Sequence, residues 1–356
     1  MRWRPARSRA IATVAMALPG LLCLPSSGGA DQPAPEVTSY FQARLTAPAD
    51  DDAYLSLRRL KIIIDGKSGT DAGYYFQAIY KDRNRSNTDG TPYVQELRAW
   101  RRLGRTRITV GQTKPPFGWE RFTNDYALAL IDRSPATDHL VPDGNLGDSF
   151  ARDRGVQCDW EVGKLGCAVG VFDGAGANNG AHGVGPLIAA RTTYDRKVSA
   201  REGPRAVHAE AALSWRDARH LDFTGQLPGA KSLGYGHFDG HDWRCDLAAG
   251  IRGPRWEVRG EYLRAAYRPF SAASPALTAD GYYLQGSCHL SQKVEAALKY
   301  DGFDTHHGYQ ADQVTIGLNL SLARFRERLQ LNYLFRDATA GYSASDALVC
   351  QYQRYF

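Results

Sequence analysis

The sequence predicts an all-β fold, a 16-stranded antiparallel transmembrane β-barrel, on three observations. Oily and polar residues alternate with period 2 along nearly the whole chain, and no helical period competes over any long stretch. The connections between these segments are alternately short and long, as in an up-and-down barrel. The polar partners of the oily residues also include many charges, which need water. Residues 314–335, VTIGLNLSLARFRERLQLNYLF, show the pattern. Val314, Ile316, Leu318, Leu320 and Leu322 alternate with Thr315, Gly317, Asn319 and Ser321. After a basic break, Leu329, Leu331, Tyr333 and Phe335 resume, with Gln330 and Asn332 between them.

A leader precedes the first strand. Arg2, Arg4, Arg7 and Arg9 form a basic segment, 11–24 is an apolar run too short to span a bilayer, and Gly28-Gly29-Ala30 offers small residues for cleavage. Residues 1–30 therefore read as a cleaved signal peptide and 31–356 as the mature barrel; the bulky Leu22 before Cys23 argues against a lipoprotein site. The leader holds four of the 44 basic residues and no acid, so 40 cations face 38 acids in the mature chain. No basic cluster interleaved with aromatics stands out, which excludes nucleic acid as a partner. No later stretch reaches about 18 consecutive apolar residues, so helical membrane spans are excluded while strand spans are not.

The expected strands are, in order, 38–47, 54–65, 71–81, 93–102, 105–112, 150–161, 164–173, 186–195, 206–216, 241–251, 255–266, 280–290, 293–302, 313–322, 325–336 and 347–356. Val162-Gly163, Arg252-Gly253-Pro254, Ser291-Gln292 and Ala323-Arg324 make short turns. The long connections are 113–149, the Gly/Asn-rich 174–185, 217–240, 267–279 and 337–346. Polar faces carry Asp159, Glu161, Arg255, Glu257, Arg259, Glu261, Lys299 and Asp301. A sandwich would bury such faces on each other, whereas a barrel of this size encloses water. Oily faces then meet lipid, with Tyr74, Tyr75, Trp100, Trp243, Trp256, Tyr262, Tyr282 and Tyr333 as candidates for the interfacial aromatic belts.

Of six cysteines, Cys23 leaves with the leader and Cys158, Cys167, Cys245, Cys288 and Cys350 remain. An odd number leaves at least one free thiol. Cys158 and Cys167 lie symmetrically about Val162-Gly163, either as a cross-strand disulfide or as small apolar residues of the oily face. The chain ends LVCQYQRYF, with Phe356, Tyr352, Cys350 and Leu348 on one face. This resembles the end signal of outer-membrane barrels, read by the barrel assembly machinery; Arg354 departs from it, because that position is usually aromatic or apolar.

Residues 110–134, VGQTKPPFGWERFTNDYALALIDRS, resemble the phosphate-selective porin O and P family: a strand ending in V-G-Q, a P-F-G-x-E turn, then an apolar stretch ending in an acid-Arg pair. Leu57-Arg58-Arg59-Leu60, Gly260-Glu261-Tyr262-Leu263, Gly281-Tyr282-Tyr283 and the terminal Phe356 follow in family order. The resemblance implies a homotrimeric channel of the Gram-negative outer membrane whose third loop, here 113–149, folds into the lumen. Tyr126 to Ile131 would pack on the wall, and Pro115-Pro116 would steer the chain inward. It implies anion-binding roles at the constriction for Arg121, Arg133, Arg58 and Arg59, beside Lys114. Arg107, Arg259, Glu257 and Glu261 are expected on the lumen wall. Guanidinium keeps its charge and offers a planar donor fork for oxyanions. Arg121 has an alternative, an ion pair with Glu120 or a wall carboxylate, and strand alternation allows only one of Arg58 and Arg59 to face inward. Phosphate-specific members carry a dense arginine run in the fifth loop. The equivalent 216–241 offers only Arg216, Arg219 and Lys231 as fixed cations, so a diffusion channel with mild anion preference is expected.

The implied partners are outer-membrane lipid and lipopolysaccharide, further copies of the chain, and small anions or other hydrophilic solutes; no cofactor or metal is expected. DGAGANNGAHGVG, 173–185, lacks the ending of a phosphate loop. His237 and His241 have a ligand spacing that Asp239 and Gly240 spoil as a helix, and His306-His307 lie in a loop tip. The rivals are a barrel enzyme with its site at the rim, for which Asp239 and His241 are candidates, and an exported soluble β-sandwich that binds glycans.

Overall fold

The computed structural model describes residues 33–82, 90–144, 146–179, 185–199, 205–223, 225–323, 326–339 and 345–356. The expected signal peptide 1–30 lies outside the described residues, as do parts of the 174–185 and 337–346 connections and Arg324 of the Ala323-Arg324 turn. The strands are β1 (Glu36–Pro48), β2 (Tyr54–Ser68), β3 (Ala72–Asp82), β4 (Tyr93–Leu103), β5 (Thr106–Thr113), β6 (Asp153–Val162), β7 (Leu165–Phe172) and β8 (Leu187–Val198). They continue with β9 (Arg205–Leu221), β10 (Phe238–Arg252), β11 (Trp256–Pro269), β12 (Leu277–His289), β13 (Val294–Asp304), β14 (Gln310–Ala323), β15 (Glu327–Ala338) and β16 (Ala347–Tyr355). Each pairs antiparallel with its sequence neighbour, and β1 pairs with β16, so the sheet closes with no edge. The closed ring removes the sandwich alternative. No described helix is long and apolar enough to cross a membrane.

Closure has a physical cause. In hydrocarbon an unpaired backbone N–H or C=O costs several kcal/mol, and a ring of strands leaves none unpaired on its rim. Side chains then sort by alternation. Leu247, Leu284 and Ile316 point outward with 58%, 60% and 50% of their surface exposed, whereas Asn319 and Gln351 point inward and are 2% and 1% exposed. Cys158 and Cys167 share the outward face of Leu165 and Val169, and all five described cysteines are free thiols. The disulfide alternative fails on register: the turn centres on Gly163-Lys164, which sets Cys158 opposite Val169 and Cys167 opposite Trp160.

Two expectations about the faces are corrected. Tyr75 points inward, donating to Gln77 Oε1 at 2.9 Å, and Trp100, paired with buried Thr109, points inward with it. Tyr74, Trp243, Tyr282 and Tyr333 do face outward. The interior is also not polar throughout. Along β11 the inward row passes from Glu257, Arg259 and Glu261 to Leu263, Ala265 and Tyr267. These join Phe172, Leu187, Ala212 and Phe303 in a dry core filled from the loops by Phe117, Leu140, Phe150 and Phe223. One side of the barrel is thus packed solid toward its loop end.

Two of the β-bulges among the described residues bear on the site. In β2, Arg59 pairs with Gln42 and Leu57 with Ala43, which leaves Arg58 as the extra residue. In β4, Glu96 pairs with Gln77 and Val94 with Ala78, leaving Gln95 extra. A bulge lets two consecutive residues face the same side, so Arg58 and Arg59 both point inward, contrary to the alternation rule, and so do buried Gln95 and Glu96.

If the outward rows meet hydrocarbon, Ile316→Arg should destabilise the barrel by about 2–4 kcal/mol in reversible unfolding from lipid vesicles. A loss under roughly 0.5 kcal/mol, ordinary for a wet surface, would take that face out of the membrane.

Candidate functional site

The β5–β6 connection runs from Lys114 to Arg152, one residue later at its start and three later at its end than expected, because Phe150 and Ala151 turn into the dry core. It contains two short helices, α1 (Trp119–Phe122) and α2 (Pro135–Leu140). Ser134 caps α2, its Oγ accepting from the Ala136 N–H at 3.1 Å, with Pro135 in the first turn where its missing N–H costs nothing. The segment touches inward-facing residues on many strands. Asn319 of β14 donates to the Ala129 carbonyl at 2.7 Å, Arg328 of β15 to Leu128 O at 2.7 Å, Lys299 of β13 to Asp132 O at 3.2 Å, and Arg244 of β10 to Leu140 O at 2.5 Å. The expected packing of 126–131 on the wall is seen: Ile131 lies against Leu334, Ala347 and Val349. Small wall residues make room. A Cβ on Gly317 would come within 2.4 Å of Leu130, and one on Gly281 within 2.4 Å of the Ala136 Cβ.

Three carboxylates tie the segment down. Asp125 accepts from Lys61 at 2.6 Å, Arg133 at 2.5 Å and Tyr40 at 3.0 Å, with Arg59 at 3.4 Å. Asp132 pairs with Arg44 at 2.8 Å and lies 4.0 Å from Arg58. Glu120 accepts from the Ser134 N–H at 2.8 Å, between Lys299 at 3.7 Å and Arg259 at 3.9 Å. Burial alone would raise the Asp132 carboxyl, but the Arg44 and Arg58 guanidiniums hold it well below the usual carboxylate range.

Two roomy cavities, about 690 Å³ toward the loop end and about 450 Å³ toward the turn end, flank a narrow one of about 150 Å³. Arg133 borders all three. The narrow space is walled by Arg58, Arg59, Lys81, Arg121 and Arg133 against Asp132, Asp138 and Asp143. Four sequence-predicted cations therefore converge here, and cations outnumber carboxylates. Lys114 borders the turn-end cavity instead, donating to Arg121 O at 3.0 Å. Burial, partly offset by Glu96, pushes its ammonium down to about 7.

Arg121 is not paired with Glu120; it donates to Asp138 Oδ1 and Thr137 O, both at 3.1 Å. Among the predicted wall residues, Arg107 borders the turn-end cavity beside Asp159 at 3.5 Å. Arg259 lies over the Trp119 ring, Glu261 accepts from the Glu120 N–H at 2.9 Å, and Glu257 pairs with Arg252 at 2.7 Å. At the chain end Tyr352 donates to Glu327, and the Arg354 guanidinium lies 5.4 Å over the Phe356 ring, on the same face of the strand. Lys81, Asp138, Asp143 and Arg152 were not anticipated. Lys61 was legible two residues beyond Arg59 on its face. The leucines of Leu57-Arg58-Arg59-Leu60, three apart yet both outward, were the mark of the bulge.

Arg216 is sealed in a pair with Asp242 at 2.6 Å, and Arg219 lies over Phe270. Asp239 accepts from the His220 N–H, His241 bonds Asp217, and His306 bonds Asp280. Among the described residues no group of His, Cys, Asp or Glu is arranged to hold a metal ion.

Comparison with known proteins agrees with this architecture. The family model described as phosphate-selective porin O and P matches residues 39–348. An anion-selective porin from Comamonas acidovorans superposes with a TM-score of 0.68 at 13% identity, over 91% of this chain and 99% of its own. The trimer form of OmpT, an outer-membrane protein of Vibrio cholerae, gives 0.60 at 12% identity, over 91% and 100%. The outer-membrane channel DcaP of Acinetobacter baumannii gives 0.58 at 12%, over 90% and 97%. At these identities the likeness speaks for the fold. No curated protein matches the sequence.

Asp125→Asn should leave Arg59, Lys61 and Arg133 short of their common anion, loosening the segment by about 3–5 kcal/mol, as when one partner of a buried ion pair is lost. Flickering single-channel current and faster proteolysis between 114 and 152 are the expected readouts.

Proposed function

The chain belongs to the phosphate-selective porin O and P family, and from that premise we propose a passive outer-membrane diffusion channel for small hydrophilic solutes with mild anion preference. The single observation behind the anion preference is the narrow cavity, where Arg58, Arg59, Lys81, Arg121 and Arg133 face fewer carboxylates. In this reading the 114–152 segment is folded into the lumen as its constriction, the long-loop end is extracellular, and the short turns are periplasmic. Fixed cations in a narrow, low-dielectric passage raise the local anion concentration and lower the barrier to anion entry. Export by the leader, contact with outer-membrane lipid and lipopolysaccharide, and assembly through the Phe356 signal belong to the same reading. A homotrimer is included by likeness to the trimeric OmpT form.

A saturable phosphate site is not part of it, because Arg216 is consumed by Asp242 and cannot feed anions inward. Enzymatic activity has no support from the candidate pair, since Asp239 and His241 are engaged with different partners.

In a planar bilayer with a KCl gradient, stepwise conductance and an anion-selective reversal potential are expected; a cation-selective potential would overturn the assignment. Arg121→Glu should move the potential toward cations, and an unchanged value would confine Arg121 to its ion pair with Asp138. Lys114 is protonated below about 7 and neutral above it, so anion preference should decline as pH rises from 6 to 8, with Lys114→Met flattening that profile.

A further inference from the structure

The two ends of the barrel differ in their balance of charge, with Asp71 of the β2–β3 connection as an exposed acid at the turn end. At the turn end Arg105, Lys164, Arg255, Lys293 and Arg326 each occupy a different short connection, and all are exposed. A second turn-end cavity, of about 760 Å³, is bordered by Arg102, Arg105, Arg107 and Arg191 against Asp159 and Glu161. At the opposite end the β1–β2 connection is Ala49-Asp50-Asp51-Asp52-Ala53, exposed throughout, and Asp50 and Asp51 border the loop-end cavity together with Asp337 and Arg336. The narrow space between carries its excess of cations. A permeating ion therefore meets an acidic mouth, then a basic constriction, then a basic exit.

Two fixed-charge zones of opposite sign in series act on mobile ions as a junction. The acidic mouth enriches potassium and the basic stretch enriches chloride. With the extracellular side positive, potassium is driven inward from the mouth and chloride outward from the exit, so both move toward the junction and accumulate. With the polarity reversed both are drawn away, and the junction is depleted of carriers.

We propose that the channel rectifies, conducting better when the extracellular side is positive, because Asp50, Asp51 and Asp52 stand in series with the cations of the constriction and the turns. This rests on the diffusion-channel reading of the same pore. Rectification must fade with salt, since the screening length falls from about 30 Å at 0.01 M to about 3 Å at 1 M.

The test is the current–voltage relation of the full-length mature chain in planar bilayers with equal KCl on both sides. Orientation is set with Asp50→Cys, modified from one chamber by a bulky, membrane-impermeant thiol reagent, with the unsubstituted protein treated in parallel. The expected result is a current ratio of about twofold between opposite potentials of roughly 100 mV in dilute KCl, and close to unity in molar KCl. Replacing Asp50, Asp51 and Asp52 by Asn should abolish the ratio, and by Lys should remove it without closing the pore. Ohmic conduction in dilute salt, or a ratio indifferent to these substitutions, would overturn rectification while leaving the channel intact. Absence of any conductance would instead overturn the channel reading and this proposal with it.

Discussion

The requirement that every peptide group find a partner inside the bilayer governs this molecule. It forces the strands to close, and closure turns one face of every strand outward to lipid. The inward face then belongs to a cylinder wide enough to admit water, and sixteen strands cannot fill that cylinder with wall side chains alone. The 114–152 segment meets inward-facing wall residues with two different chemistries: apolar contacts through Ile131 and Leu140, and ionic ones through Glu120, Asp125 and Asp132.

The ionic contacts explain how a narrow cavity holds an excess of cations without repelling itself apart. Asp125 sits among Lys61, Arg59 and Arg133, so each of those cations is held by a carboxylate. Taking any partner away would leave buried charge uncompensated, which is far costlier than losing a surface pair. The apolar contacts depend on what the wall lacks. Gly281 and Gly317 admit Ala136 and Leu130 to distances that a methyl group would block. The small polar residues opposite the oily rows are thus the seat of the segment as well as the lining of a channel.

Strand number, order and the position of the long third loop were legible in the sequence, because lipid outside and water inside impose a period of two that few other environments sustain. The bulge at Arg58 was not read, since alternation assumes unbroken register and the two outward leucines three residues apart contradict it only once the partner strand is known. The dry half of the interior escaped for a related reason. Leu263 and Tyr267 obey the same alternation as Glu261, and nothing local tells whether a given inward face meets water or a folded loop. The four convergent arginines were legible through family likeness, whereas Lys81, Asp138 and Asp143 join them only through three-dimensional closure.

Arg133 is braced by its own segment. It donates to Asp125, to the Glu120 carbonyl at 3.2 Å and to the Thr123 carbonyl at 2.8 Å, so its fork is pinned at both edges while its side borders all three compartments. Its charge is consequently fixed in place, set by three partners on the 114–152 segment rather than by the reach of its own side chain.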